Sequence, residues 1–200
     1  MDIDEDGWPP ASVESLWAVD LGDGTVRLDN TPWFVRGVAS DDIIRVEVDD
    51  EGVRWAGETV RASENCTIRL IVLKDGGSGA ARQSVLNIFH SLGTTGEGIE
   101  QYRMVALDVP PTADLPKIHK LLVHGATKEW WHWEEGCVTA AWRTSPRHDL
   151  VQSMSVNLLA GIVYGSDRSC WRSHASSRRC SRRRSCSAAT GNGCCIHFAR

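Results

Sequence analysis

Apolar and polar residues alternate along residues 14–65, and this alternation predicts short strands separated by turns. In the segment DIIRVEVDD, Ile44, Val46 and Val48 share one face of the predicted strand, while charged residues occupy the other face. The turn DDEG and the segment VRWAGETVRAS follow directly, and the two runs together predict a β-hairpin. With LWAVDL and VRLDN upstream, the region predicts a small antiparallel barrel or curled sheet.

The pattern changes after residue 66, where a strand and then an amphipathic helix are predicted. Residues 70–73, at the end of CTIRLIVL, are all apolar, which suits a strand that is covered on both faces. After the glycine-rich connection DGGSGAA, apolar residues recur at i, i+3, i+4 and i+7, which predicts a helix over residues 82–92. Gly93 stands where a C-terminal helix cap is expected.

A second helix and two further strands complete this region. Asp114 can cap the helix, Pro116 lies in its first turn, and Gly125 is expected to end it. The segments YRMVALDVP and EWWHWEEGCV, before and after the helix, are predicted strands. The order β-α-β-α-β over residues 66–138 therefore predicts an α+β sandwich of two helices on one sheet. Such a sandwich is similar to a ferredoxin-like or ACT-type fold that lacks a strand.

Composition narrows the class of protein. Of the 200 residues, 42% are hydrophobic and 24% are charged, as in ordinary globular proteins. No apolar run approaches the roughly 18 residues that a membrane span needs, so no membrane association is expected. The acidic start MDIDEDGWPP lacks the basic and apolar stretches of a secretory signal, which predicts a cytoplasmic protein.

Charge divides the chain into two unequal parts. Residues 1–165 carry 14 Lys and Arg against 25 Asp and Glu, a net charge of −11. Residues 166–200 carry eight arginines against one acid, a net charge of +7. The acidic body is expected to repel nucleic acid and to attract basic surfaces.

Residues 146–200 form a tail rich in Arg, Ser and Cys, and its lack of hydrophobic periodicity predicts irregular or disordered structure. Three origins fit this composition: a shifted reading frame in GC-rich DNA, an arm that binds nucleic-acid phosphates, or an inert extension. The predicted division of the chain is a disordered acidic N-terminus over 1–13, a β-rich subdomain over 14–65, an α+β subdomain over 66–145, and the tail.

Four segments carry a resemblance to a known family. In chain order they read VRLDNTPWFVRGVASDDIIRVE, GETVRASENCTIRLIV, MVALDVPPTADLPKIHKLLVHG and WWHWEEGC. Their order and spacing, between about Leu16 and Val138, resemble a bacterial family known as domain of unknown function 4265. The resemblance implies a β-rich, two-part fold and no catalytic residues, since the family has no established activity. Its members often carry Leu-Gly-Cys after the first helix, whereas this chain has Thr94 and Thr95 there, so no thiol role is expected.

The segment KEWWHWEEGC at residues 128–137 has the densest group of potentially functional side chains. In a strand, its side chains alternate between two faces: Trp131, Trp133 and Glu135 on one, and Trp130, His132 and Glu134 on the other. Burial of the tryptophans in the core is the favoured interpretation. The alternative is a ligand platform formed by Trp130, Trp131, Trp133 and Glu135. On the second face, His132 and Glu134 are candidates for a general acid–base pair.

Other patterns predict no cofactor and no metal site. The loop GGSGAAR lies between a strand and a helix but lacks the third glycine of a dinucleotide-binding loop, so it is interpreted as a connection. His119 and His124 are five residues apart on the second helix, a spacing that does not suit metal ligands, and both are predicted on the surface. Cys66 and Cys137 are predicted to be buried structural thiols.

The favoured functional hypothesis is a non-enzymatic binding or regulatory module that recognises a protein or a small molecule through its acidic body. The first alternative is an enzyme that uses His132 and Glu134 in a tryptophan-rich cleft. The third hypothesis is nucleic-acid binding through the arginine-rich tail, because the acidic body itself does not suit that partner.

Overall fold

The computed structural model describes residues 12–145 and 193–199, which form a closed β-barrel and a helix-covered antiparallel sheet. In chain order, the elements are β1 (Glu14–Asp20), β2 (Thr25–Leu28), β3 (Ile43–Val48), β4 (Arg54–Arg61), β5 (Cys66–Val72), α1 (Gly79–His90), β6 (Thr95–Ile99), β7 (Met104–Val109), α2 (Leu115–Thr127), β8 (Trp131–Cys137), α3 (Ala140–Thr144) and β9 (Gly193–Phe198). The fold is therefore of the mixed α+β type, as predicted. No helix of the described part is long and apolar enough to cross a membrane.

The barrel contains the predicted hairpin β3–β4 and is closed by β9, in the order β1-β2-β3-β4-β9. Most neighbouring strands are antiparallel, but β4 and β9 are parallel where Trp55 pairs with His197. Alternate apolar side chains point inward and form the barrel core, which includes Leu16, Ile44 and Ile196. The N-terminal part is thus a barrel, as the alternation of residues 14–65 predicted, although its fifth strand comes from the far end of the chain.

The prediction of an irregular tail is wrong for residues 193–198, which form β9. This strand pairs with β1 in an antiparallel register from Glu14 opposite Phe198 to Val19 opposite Gly193. The strand was not predicted because its alternation of apolar and polar residues covers only six residues, and the neighbouring arginine-rich stretch dominates the composition. Residues 1–11 of the predicted disordered N-terminus (1–13), and residues 146–192 and 200 of the predicted tail, lie outside the described residues.

The second sheet has four antiparallel strands in the order β6-β7-β5-β8. The predicted order β-α-β-α-β is therefore incomplete, because β6 lies between α1 and β7 and makes the order β-α-β-β-α-β. The sequence of β6, TGEGI, contains two glycines and little apolar alternation, so no strand was expected there. Gly96 suits this strand because a Cβ at that position would overlap the carbonyl group of Ala106 on β7.

Both predicted helices are present, and their apolar stripes pack on one face of this sheet. Helix α1 begins earlier than predicted because the hydroxyl of Ser78 caps it by accepting a hydrogen bond from the amide of Ala81. Asp114 caps α2 as predicted and accepts a hydrogen bond from the amide of Lys117 at 3.2 Å. Gly125 does not end α2, which continues to Thr127.

Gly125 instead makes room for a tryptophan. A Cβ at this position would overlap the indole ring of Trp131, which is 2% exposed. We expect Gly125→Ala to destabilise the protein by about 1–3 kcal/mol, because overpacking exceeds the gain in helix propensity of about 1 kcal/mol. Urea denaturation followed by tryptophan fluorescence measures the change. The control is Gly79→Ala in α1, where a Cβ meets only ordinary contacts; a Gly125→Ala variant as stable as this control contradicts the explanation.

Candidate functional site

The tryptophan-rich segment forms β8, an edge strand that pairs with β5. Trp131 and Trp133 are 2% and 7% exposed and lie in the core between the sheet and the helices. The indole of Trp131 also donates a hydrogen bond from Nε1 to the carbonyl oxygen of Leu122 at 3.1 Å. Because both rings are covered, a ligand would reach them only after the helices had moved, and in this conformation they stabilise the fold.

The other two members of the predicted platform also contact the protein. Trp130, at the start of the strand, is partly buried; its ring lies 5.2 Å from the ammonium group of Lys74 and 5.4 Å from the ring of His124. Glu135 accepts a hydrogen bond from Nε1 of Trp142 at 2.8 Å. The structure therefore places the four platform residues in two different environments, and a ligand role for them stays a prediction.

A β-bulge near the end of β8 interrupts the alternation of side chains. Ile68 on β5 pairs with Glu135, but the preceding Thr67 pairs with Cys137, so Gly136 is an extra residue in the strand. Cys137 therefore lies on the side of Thr67 and not on that of Glu135, because the bulge shifts the alternation by one residue.

The face of the sheet opposite the helices carries a buried ion pair. Arg69, in the middle of β5, is 1% exposed, and its Nη1 lies 2.9 Å from Oε1 of Glu134 on β8. The second carboxylate oxygen of Glu134 accepts a hydrogen bond from Nη2 of the exposed Arg36 at 3.0 Å. Gly136 leaves room for this pair, since a Cβ there would lie 2.9 Å from Cζ of Arg69. Both oxygens of Glu134 are thus held by arginines.

The same arginine fixes a loop of the barrel to the sheet. Its guanidinium group donates hydrogen bonds to three carbonyl groups of the loop before β3, those of Pro32 (3.4 Å), Phe34 (3.2 Å) and Val35. On the barrel side, the carboxylate of Glu14 accepts hydrogen bonds from the amides of Trp33 (2.5 Å), Phe34 (2.9 Å) and Val35 (2.8 Å). We call Glu14, residues 32–36, Arg69 and Glu134 the joint, because they connect the barrel to the sheet.

His132 lies on the same face as Glu134, as predicted, but the two are not paired. Within the described residues no hydrogen bond joins them, and Glu134 is occupied by Arg69 and Arg36. Burial lowers the pKa of His132, and the charge of Glu129 opposes this shift. The imidazole is therefore neutral at physiological pH, and its catalytic role with Glu134 stays a prediction.

Cys66, Cys137, His119 and His124 are further candidates for a reactive or metal-binding role. Burial raises the pKa of Cys66 and raises that of Cys137 to about 11, so both thiols are protonated at neutral pH. His124 is exposed as predicted, but His119 is buried, because its ring stacks on Trp142 of α3 at 3.9 Å and α3 was not foreseen. In residues 12–145 and 193–199, no three His, Cys, Asp or Glu side chains come together as metal ligands.

Asp108 is a half-buried carboxyl group on β7, close to the barrel. Its Oδ2 lies 3.4 Å from Oγ1 of Thr95 on β6. Burial raises the pKa of Asp108 to about 6, the charge of Asp41 adds to the rise, and hydrogen bonds from Thr95 and Asn65 oppose it. Protonation of this carboxyl group therefore favours the folded state.

We expect Asp108→Asn to change how stability depends on pH. The pKa of Asp108 is higher in the folded state, so its stabilising contribution is fully present below about pH 4 and is lost as the pH rises through about 6. The asparagine variant should match the wild type near pH 4 and exceed its stability at pH 7 by about 1 kcal/mol, after allowance for partial exposure. Thermal unfolding between pH 4 and pH 7 measures this; parallel curves for the two proteins contradict it.

The outer surface of the barrel carries three aromatic side chains on adjacent strands. Trp17 on β1 is 59% exposed and pairs with Cys195 of β9. Trp55 on β4 pairs with His197 of β9, and their ring centroids are 5.7 Å apart. Nδ1 of His197 lies 2.7 Å from Oγ of Ser15. We call Trp17, Trp55 and His197 the aromatic face.

Next to the aromatic face, the hairpin β3–β4 is strongly acidic. Five exposed carboxylates belong to it, those of Glu47, Asp49, Asp50, Glu51 and Glu58. Arg45 is paired with Glu58 at 3.0 Å, and Arg54 is paired with Asp20 at 2.9 Å. The carboxylates of this acidic hairpin therefore outnumber its arginines, and two of its arginines are already engaged.

A cavity of about 670 Å³ opens at one end of the barrel, beside the β3–β4 turn and the start of β9. Its lining residues are Asp20, Gly22, Gly52, Val53, Arg54, Gly193, Cys194, Cys195 and His197. The Asp20–Arg54 ion pair at 2.9 Å gives this cavity a polar character. Such a lining suits a polar group better than an apolar ligand.

The fold and these surfaces define the class of protein: a two-part α+β protein in which a closed barrel is joined to a helix-covered antiparallel sheet. Within this class, the chain belongs to the family described as a domain of unknown function, DUF4265, which matches residues 14–133. The family resemblance inferred from the sequence is thereby confirmed.

A solved structure described as a "Novel crystal structure of a hypothetical protein from Neisseria gonorrhoeae" has a similar fold. The TM-score is 0.50 at 18% sequence identity, over 64% of this chain and 94% of that chain. At this identity, the similarity concerns the fold alone. No curated protein matches the sequence.

Proposed function

We propose that the protein is a non-enzymatic binding module that recognises a basic protein partner through its acidic hairpin. The observation that carries the proposal is the exposure of five carboxylates on β3–β4, in a body whose first 165 residues have a net charge of −11. Carboxylates on a rigid barrel attract a basic surface, speed its association and disfavour nucleic acid.

The joint supports a binding role over the enzymatic alternative. Glu134, one of the two candidate catalytic residues, is held by Arg69 and Arg36 through both carboxylate oxygens. A general acid or base needs a side chain that is free to exchange a proton with the substrate. The geometry thus gives no support to catalysis by His132 and Glu134, whereas a rigid joint suits a body that presents a fixed surface.

For the second part of the fold we propose a ferredoxin-like or ACT-type arrangement. The element order β-α-β-β-α-β and the strand order β6-β7-β5-β8 support this proposal. Such folds serve many unrelated functions, so the arrangement adds no ligand of its own.

Affinity capture with paired charge variants tests the proposed function. The full chain is used as bait in lysate, beside a variant with Glu47→Gln, Asp50→Asn and Glu51→Gln; Asp49 is kept because it accepts hydrogen bonds from Val53 and Trp55. The control variant neutralises three exposed acids of the other part, Glu97, Glu100 and Glu129.

We expect a basic protein to be retained by the wild type and by the control variant, and lost from the hairpin variant. Removal of charges beside an interface slows association and weakens binding, while equal removal elsewhere has little effect. Equal retention by all three baits contradicts a role for the acidic hairpin.

A further inference from the structure

We propose that the aromatic face binds arginine side chains of the basic partner, with the ring of Trp17 and the ring of Trp55 as two separate stacking positions. This inference rests on the proposed function and adds the chemistry by which the partner is recognised.

The exposure of Trp17 is the first observation. Its side chain points away from the barrel core, between inward-facing Leu16 and Ala18, and 59% of it is open to solvent. Tryptophan is common in protein cores and in binding hot spots, whereas the outer face of a barrel strand is usually polar. An exposed tryptophan on that face is therefore a candidate for binding.

The spacing of the two tryptophans is the second observation. Strand β9 separates β1 from β4, and the partners of Trp17 and Trp55 on β9 are Cys195 and His197, two residues apart. Along the barrel surface, two strand spacings of about 4.8 Å and an offset of about 6.8 Å separate the two backbone positions by roughly 12 Å. The curvature of the closed barrel turns the two side chains away from each other, so they form two separate positions on either side of β9. A flexible peptide with two arginines about four positions apart can curve around β9, and its long side chains can contact both rings.

The charges around Trp55 are the third observation, and they select a cation. Nε1 of Trp55 donates a hydrogen bond to Oδ2 of Asp49 at 2.7 Å, which fixes the edge of the ring. Glu47 pairs with Trp55 across the hairpin. A guanidinium group stacked on such a ring gains both cation–π attraction and the field of the carboxylates, whereas a phosphate group would be repelled.

Titration with a designed peptide tests this inference. The probe is the peptide GRGSGRG, in which two arginines stand four positions apart, and its acidic counterpart GEGSGEG is the control. Binding to the full chain is followed by tryptophan fluorescence and by the indole N–H signals of Trp17 and Trp55 in ¹⁵N–¹H spectra. We expect GRGSGRG to shift both indole signals and GEGSGEG to shift neither.

Substitution separates this inference from the proposed function. Trp17→Ala, at an exposed site, should weaken binding of GRGSGRG about fivefold, as for one exposed cation–π contact, and Trp17→Phe should restore part of the affinity. Undiminished affinity in Trp17→Ala, or shifts at indoles other than these two, overturns the aromatic face as the binding site. Independently of the peptide result, the proposed function is supported if the hairpin variant no longer retains the basic partner in the affinity capture. It is contradicted if the hairpin variant retains that partner as well as the wild type does.

Discussion

Arg69→Ala should destabilise the protein by about 3–5 kcal/mol, because it removes one partner of a buried ion pair and leaves the other in place. The guanidinium group is 1% exposed, and Glu134, 2.9 Å away, would keep only the exposed Arg36 as a partner. The carbonyl groups of Phe34 and Val35 would lose their donor as well. Burial lowers the pKa of Arg69 while the charge of Glu134 opposes the shift, and the arginine stays charged.

Chemical denaturation of Arg69→Ala beside Arg45→Ala measures this effect. Arg45 also forms an ion pair, with Glu58 at 3.0 Å, but both side chains are exposed, so its loss should cost less than about 1 kcal/mol. Two variants of equal stability would show that Arg69 does not hold the barrel and the sheet together.

Ile196→Ala should destabilise the protein by about 2–5 kcal/mol, because the side chain is fully buried in the barrel core and its truncation leaves a cavity. The prediction tests whether β9 closes the barrel. Its matched control is Cys195→Ser on the outward side of the same strand, which should change stability by less than about 1 kcal/mol.

Urea denaturation of the full-length variants gives both values. If Ile196→Ala and Cys195→Ser are equally stable, residues 193–198 do not contribute to the barrel core. That result would favour the interpretation of the tail as an inert extension, one of the three origins that its composition allows.

Sequence periodicity predicted the parts of the fold that depend on local patterns. The alternation around Ile44 and the helical stripe around Phe89 each place apolar residues on one face. Burial of that face in the core stabilises the strand or the helix. Strands β6 and β9 were missed because glycines in one and brevity in the other leave little periodic signal. Their positions depend on pairing with strands far away in the sequence, which periodicity does not describe.

The candidate site illustrates the same limit. Burial of Trp131 and Trp133 was the favoured interpretation from the sequence, and the structure confirms it. The engagement of Glu134 was not predicted, because Arg69 and Arg36 approach it from other elements. One signal was present: an arginine in the middle of the apolar strand CTIRLIV needs a buried partner. The exposure of Trp17 left no signal, since an apolar residue in an alternating strand is assigned to the core by default.

If the acidic hairpin recognises a basic partner through its charges, binding must weaken as the salt concentration rises. Isothermal titration with an alternating arginine–glycine peptide, at about 50 mM and about 300 mM NaCl, would compare the full chain with the Glu47→Gln, Asp50→Asn, Glu51→Gln variant. We expect the affinity for the peptide to fall by roughly tenfold between these two salt concentrations in the wild type, and by much less in the variant. An affinity that is the same for both proteins and insensitive to salt would contradict recognition of a basic partner through the acidic hairpin.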